Sequence, residues 1–201
     1  AYNYHMMYFT NAHSKNLRIL PTHRIFSGFE IEEEALLEKI SEFFFVKKLN
    51  DVEEIEELIL QKKWAFGLVI GDHPYKIRLY PEMLDQMPSD IPDVVKNLDL
   101  MVLHYFFVDR VLGIPLKDQR FSDQIEYERN LRRCISKTIS KRASFSVITK
   151  DIVMNQVLEV CKSGYTMPQK STYFYPKTLS GLLFASIDEA DFAFPYHMFQ
   201  S

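Results

Sequence analysis

The sequence predicts an α+β, or mixed α/β, fold in which strands and helices alternate within a single compact domain of residues 1–201. Two observations lead to this prediction: short runs rich in β-branched and aromatic residues between turn signals, and longer segments with apolar residues at helical spacing. A third is that no internal repeat, low-complexity tract or linker interrupts the chain. The three prolines within residues 81–93 mark the one candidate for a subdomain boundary.

The predicted strands include two local β-hairpins. In the first hairpin, residues 2–10 and 17–20 flank the turn NAHSKN. In the second, residues 64–70 and 75–80 flank GDHP, which is a strong hairpin signal because glycine and aspartate suit a tight turn. The other predicted strands are residues 44–49, 125–128, 143–148 and 181–187.

The predicted helices follow from apolar spacing and capping residues. Asp51 is the expected N-cap of the second helix, and Gly164 is the expected C-terminal stop of the last. The third helix is apolar nearly all round, which predicts a buried central helix. The five predicted helices are residues 32–43, 52–61, 99–112, 130–141 and 151–162.

Composition narrows the class of protein. With 201 residues and 47% apolar content the chain can bury a proper core. A net charge of −3 argues against a dedicated nucleic-acid binder, and no apolar run approaches membrane-spanning length. The two cysteines, Cys134 and Cys161, lie in helix-like stretches without a CxxC motif, so we expect free buried thiols and a reduced, cytoplasmic setting.

The first residues, AYNYHMMYFTN, open directly in a strand-like pattern without an initiator methionine. A native protein rarely begins inside a strand whose partners come later. We therefore expect this chain to be the C-terminal part of a longer protein, with the missing N-terminal domain as its partner.

In the stretch LPTHRIF, a proline-containing turn places Thr22, His23 and Arg24 at the end of a strand. Arginine offers a planar fork that suits phosphate or carboxylate, and histidine is a donor or base near neutral pH. The alternative is structural: Arg24 pairs with a nearby glutamate, and His23 is a satisfied, half-buried polar residue.

A second candidate site is the loop MPQKSTYFYPK, residues 167–177. Lys170, Ser171 and Thr172 present an ammonium and two hydroxyls in a row, and Lys177 adds a second ammonium. Such donors can hold an anion such as phosphate, with Tyr175 and its aromatic neighbours packing beneath it or stacking on a base. The alternative is a packed loop with solvated lysines.

His104 lies within the apolar central helix, where a lone histidine is more often a hydrogen-bonded core residue than a ligand. We therefore assign it a supporting role at most. The histidines and cysteines show no metal-ligand spacing, so no metal site is predicted. Catalytic residues and cofactors cannot be named from the sequence.

Three segments together resemble the C-terminal half of the uncharacterised domain-of-unknown-function family ten-fifteen: LPTHRIF, NLDLMVLHYFFVDRVLGI and GYTMPQKSTYFYPKTLSGLLF. In this resemblance His23 and Arg24 match the family's PTHR, His104 matches its LDVxxLH helix, and residues 167–177 match its MPxKSTxFxPK loop. Members resemble two-part proteins whose N-terminal part carries a DGHHR-type motif similar to ParB-like nucleotide-using domains, often near serine-biosynthesis genes. The DGHHR motif is absent here.

Two classes of function follow from these observations. In the first, the chain is the phosphate-, nucleotide- or anion-binding half of a phosphoryl-transfer or phosphate-handling enzyme, with a link to serine metabolism implied by the resemblance. In the second, it is a non-catalytic module that binds a metabolite or regulates. A role on DNA ranks third, because the acidic balance provides no basic face for phosphate contacts.

Overall fold

The computed structural model describes residues 7–30, 32–168, 170–179, 181, 184 and 186. The chain divides into two compact units. One is the continuous segment Arg18–Tyr175, and the other combines Ala1–Leu17 with Pro176–Ser201. All the helices and strands described below belong to the larger unit, which also contains the three-proline segment 81–93.

A six-stranded antiparallel sheet forms the centre of the larger unit, with the strand order β3-β5-β4-β7-β2-β6. The two remaining strands, β1 and β8, pair separately and antiparallel. The strands are β1 (Arg18–Leu20), β2 (His23–Phe26), β3 (Phe44–Lys48), β4 (Ala65–Ile70), β5 (His73–Leu79), β6 (Ile125–Glu128), β7 (Phe145–Ile148) and β8 (Tyr173–Tyr175).

One of the two predicted hairpins is confirmed. β4 and β5 pair antiparallel through a turn at Gly71, whose φ of 58° lies in the left-handed region that glycine tolerates without strain. The first predicted hairpin differs, because residues 7–10 contain no strand and β1 pairs with β8. Residues 2–6 lie outside the described residues, and of the predicted strand 181–187 only three positions are described.

The helices confirm all five predicted segments. They are α1 (Glu33–Ser41), α2 (Glu54–Leu60), α3 (Asp93–Lys96), α4 (Asp99–Val102), a π-helix (Leu103–Val111) that continues α4, α5 (Leu131–Ile139) and α6 (Met154–Lys162), with short 3₁₀ turns at Pro81–Gln86 and Gln119–Phe121. Among the described residues, no helix is long and apolar enough to cross a membrane.

Two predicted helix starts have different outcomes. The Asp51 carboxylate accepts a hydrogen bond from the Glu53 N–H (2.9 Å), so it caps the turn that leads into α2. Asp151 does not cap α6, which begins three residues later. There the Gln156 side chain instead accepts from the Val153 N–H (3.1 Å).

Side chains of the sheet alternate between two apolar clusters, as the period of two in a strand requires. Phe26 and Phe145 belong to the larger cluster, which includes the π-helix, whereas Ile25 and Ile148 belong to a smaller one with α2. The same alternation directs Arg24, next to Phe26 on its face, toward the π-helix. Cys134 is buried in the smaller cluster, but Cys161 is exposed, which corrects the expectation of two buried thiols.

Candidate functional site

Arg24 is a charged residue with no solvent exposure at all. One guanidinium nitrogen, Nη2, lies 3.2 Å from His104 Nε2, and the other, Nη1, donates to the Thr22 carbonyl. The guanidinium carbon also lies 5.4 Å from the centre of the Tyr127 ring. Burial lowers the pKa of Arg24 to about 10, so the side chain stays cationic at neutral pH.

Arg24 lacks an acidic partner among the described residues, since none of their carboxylates forms an ion pair with it. Its Nε is a buried donor without a partner in the same set of residues. Desolvating a guanidinium costs several kcal/mol, and a histidine and a carbonyl recover only part of that. The predicted alternative, a pairing with a nearby glutamate, is therefore not what the structure shows.

The hydrogen bonds of Gln119 determine which nitrogen of His104 carries the proton. The Gln119 amide donates to the carbonyls of His104 and Ile114, both at 3.0 Å. Its carbonyl oxygen must therefore accept the proton of His104 Nδ1, at 2.5 Å. His104 Nε2 is then an acceptor for Arg24, and burial with the Arg24 charge lowers the pKa of His104 to about 3.

His23 is also buried, with 2% exposure. Its Nδ1 accepts a hydrogen bond from the Thr149 N–H (3.3 Å), and the Thr149 hydroxyl donates to the Thr22 carbonyl (3.0 Å). Burial, followed by the neighbouring Arg24 charge, lowers the pKa of His23 to about 4. His23 is thus a neutral residue that ties β2 to the end of β7.

A cleft of about 540 Å³ lies in front of this buried network. His104 and Tyr127, which both contact Arg24, line this cleft together with Gln119, whereas Arg24 itself does not. Two cationic residues, Lys117 and Arg120, line it as well, and no carboxylate among the described residues does. The other lining residues are Val95, Met101, Leu116, Thr166, Met167 and Pro168.

The predicted loop begins at this cleft, where Met167 and Pro168 form part of the wall. The β1–β8 pairing sets Leu20 opposite Tyr173, which brings the loop beside the segment that leads to His23 and Arg24. Ser171 is buried (4% exposed), and its hydroxyl has no partner among the described residues. Lys170 is exposed and adopts a left-handed φ of 55°.

The remaining predicted site residues are Thr172, Tyr175 and Lys177. Thr172 is half-buried, and Tyr175 is 52% exposed at the end of β8. Lys177 belongs to the smaller unit of the chain. The structure therefore brings Arg24, His104 and the start of the loop to one region.

Four residues of this region were missed by reasoning from the sequence: Lys117, Gln119, Arg120 and Tyr127. They lie in a turn and at the end of a short strand, without any motif. The one available signal was the pair of cations in PLKDQRF, the first of which lies two positions after Pro115. No group of three or more potential metal ligands gathers within the described part of the chain.

A family model, "Protein of unknown function (DUF1015)", matches residues 1–101. The chain belongs to this family. The matched half contains β2, and hence His23 and Arg24, whereas His104 and the 167–177 loop lie beyond it. That members of DUF1015 have a ParB-like N-terminal part stays a prediction from the resemblance. No curated protein matches the chain.

Solved structures of similar fold include a conserved hypothetical protein from Pyrococcus furiosus, with 17% identity and a TM-score of 0.50. That match covers 82% of this chain and 59% of the other. A free serine kinase in complex with AMP matches with 18% identity and a TM-score of 0.48, over 82% and 56% of the two chains. The DUF1015 chain thus spans a little over half the length of these proteins, and the likeness to the first concerns the fold alone.

Proposed function

We propose that this chain binds a small anion of the phosphate class in the cleft bordered by His104, and that it does so as the anion-binding part of a phosphate-handling enzyme. The observation that supports this most directly is the complete burial of the Arg24 charge without a carboxylate partner among the described residues. An anion in the cleft provides the missing counter-charge, acting across His104 and Tyr127. Interactions through a low-dielectric layer are screened much less than those in water.

Ser171 provides a second reason to place the ligand here. If the β1–β8 register continues by two residues, Ser171 lies opposite Thr22, whose carbonyl holds the Arg24 guanidinium. A buried hydroxyl without a partner is rare and is commonly satisfied by a ligand or water. We propose that Ser171 and the Lys170 ammonium complete the anion site, with Thr172 beside them and Tyr175 as a supporting ring.

The proposal that Lys177 belongs to the same site rests on the sequence pattern and the family resemblance. So does the link to serine metabolism. A nucleotide is the ligand that combines phosphate with a planar ring, and the cleft offers both cations and the Tyr127 ring. AMP and ADP, which occupy the matched kinase structures, are therefore included among the test ligands.

A non-catalytic, metabolite-binding role is the second candidate, and one observation favours it. Both ring nitrogens of His104 are occupied, and its lowered pKa keeps it from accepting a proton near neutral pH. The cleft therefore offers donors for an anion without an evident general base.

The test is a thermal-shift titration of the chain with phosphate, AMP and ADP. A ligand at about a hundred times its Kd stabilises the native state by roughly 2.7 kcal/mol, which is readily detected as a rise in Tm. We expect the shift in the unaltered protein and in Lys39→Met, which removes an exposed cation of α1 outside the cleft. Arg24→Met should reduce it. An unchanged shift in Arg24→Met, or no shift with any anion, contradicts the proposal.

A further inference from the structure

Lys117 and Arg120 form a pair of cations on one wall of the cleft. They flank the buried Gln119 in the turn that follows the π-helix, and both side chains are exposed. Neither residue takes part in the Arg24–His104 network. The question is therefore what these two charges contribute to the anion site proposed above.

The turn that carries them is held firmly at its centre. Gln119 forms three hydrogen bonds to His104 and Ile114, and the Leu116 N–H donates to the Asp109 carboxylate (3.2 Å). The backbone is closed further by the Asp118 N–H, which donates to the Pro115 carbonyl (2.8 Å). The positions from which the two cationic side chains start are thus preorganised, which lowers the entropic cost of binding.

The charged residues that line the cleft, within the described part of the chain, are all cationic. Lys117 and Arg120 supply two positive charges directly, and Arg24 supplies a third behind His104 and Tyr127. Asp118 lies between the two cations in sequence but is not part of the lining. A monoanion can neutralise one direct partner, whereas a group with two negative charges can engage both.

We propose, on the basis of the anion site above, that Lys117 and Arg120 contact the charged group of the ligand and select a dianion of the phosphate-monoester or sulfate class over a monoanionic carboxylate. Arginine suits such a group because its fork can donate two parallel hydrogen bonds to one oxyanion. Lysine then adds a compact point charge on the other side.

The ionisation of the ligand provides a sharp test of this selection. A phosphate monoester has a second pKa near 6, so lowering the pH from 7.5 to 5.5 reduces its dianionic fraction about fourfold. Sulfate keeps both charges in this range. Lysine and arginine side chains are cationic throughout this range. Tyr127 is neutral with a raised pKa, and His104 remains neutral.

The experiment is a calorimetric titration of the chain with methyl phosphate, sulfate and acetate at pH 7.5 and 5.5. We expect methyl phosphate to bind about fourfold more weakly at the lower pH, sulfate to bind equally at both, and acetate to bind most weakly. Lys117→Met and Arg120→Met should each weaken both dianions about tenfold and leave acetate nearly unchanged. Lys39→Met is the matched control, and Arg120→Lys should recover part of the affinity.

The outcomes separate this inference from the proposed function. If anions bind and Arg24→Met weakens binding, but Lys117→Met and Arg120→Met bind as the unaltered protein does, the selection by these two residues is overturned and the anion site stands. Equal affinity for acetate and methyl phosphate overturns it as well. If no anion binds at either pH, both proposals fail.

Discussion

Arg24 is the residue whose environment departs furthest from what its chemistry favours. An arginine is seldom buried completely, and when it is, a carboxylate usually accompanies it. Here its partners are a neutral histidine, a carbonyl and a tyrosine ring. Burying the guanidinium charge among uncharged partners lowers the stability of the free protein. An anion near Arg24 offsets this electrostatic cost.

This imbalance leads to a prediction for Arg24→Met. The substitution removes a desolvation cost of several kcal/mol, and against this it leaves His104 Nε2 without a donor, which costs about 1–3 kcal/mol. The Thr22 carbonyl keeps its hydrogen bond from Thr149 (3.0 Å). We therefore expect the free energy of unfolding, measured by urea titration without phosphate, to stay unchanged or rise. A loss of more than about 3 kcal/mol would show that the Arg24 charge is already compensated in the free protein.

The two buried histidines predict a specific pH dependence of stability. The pKa of His23 is lowered to about 4 and that of His104 to about 3, whereas both titrate near 6.5 in the unfolded chain. Below pH 6.5 the unfolded state binds protons that the folded state does not, so stability falls as the pH falls. Between pH 7.5 and 5 each histidine should account for a loss of about 2 kcal/mol.

Urea unfolding at pH 7.5, 6.5, 5.7 and 5 measures this slope. His104→Gln and His23→Gln should each flatten it, while His13→Gln, at an exposed position, should not. Most carboxylates titrate below pH 5, so they contribute little to the change in the free energy of unfolding between pH 7.5 and 5. A slope that is the same in all four proteins would contradict the assignment to His23 and His104.

At the scale of elements, the contact between β4 and α2 depends on the absence of a side chain. A Cβ at Gly67 would lie 2.2 Å from Ile55 Cγ2 and 3.2 Å from Ile148 Cβ. The helix can approach the sheet this closely because position 67 is glycine. Ile55 itself is fully buried in the smaller apolar cluster.

We expect Gly67→Ala to destabilise the protein by about 1–3 kcal/mol, because overpacking forces α2 or its side chains to move. The variant Gly71→Ala is the matched comparison, since its Cβ meets nothing within 4 Å and its cost is limited to the left-handed backbone, about 1 kcal/mol. In the double variant Gly67→Ala/Ile55→Ala, which removes the Ile55 Cγ2 that a Cβ at position 67 would meet, the loss should be smaller than the sum of the two single losses. Strictly additive effects in urea unfolding would rule out the steric coupling between the two positions.

The π-helix is the other informative element. It covers Leu103–Val111 and places His104 at its first turn, beneath the cleft. π-Helices are rare, and those that occur often lie at functional sites. The sequence shows only a strongly apolar segment here, so the helix was predicted and its type was not.

At the scale of the whole molecule, the chain covers 59% of the Pyrococcus furiosus protein whose fold it shares. The cleft supplies cationic donors, but both of its nearby histidines are neutral and engaged in hydrogen bonds. We therefore predict that this chain alone binds phosphate or nucleotide and does not turn it over. Phosphate release from ADP and from methyl phosphate, followed by a coupled assay, should equal the rate without protein. Release that depends on the chain and disappears in His104→Gln would reverse this conclusion.

The chain's local patterns were sufficient to predict the alternation of strands and helices, the β4–β5 hairpin and the buried central helix, because hydrophobic spacing and turn residues act over a few positions. They also pointed to Arg24 and Ser171 by residue type. Tertiary structure alone decided the pairing of β1 with β8, the meeting of Arg24 with His104 across 80 positions, and the turn that brings Lys117 and Arg120 to the cleft. The physical reason is that strand pairing and desolvation depend on what the rest of the chain buries. An arginine in a strand has the same local pattern whether it reaches solvent, a glutamate or a histidine.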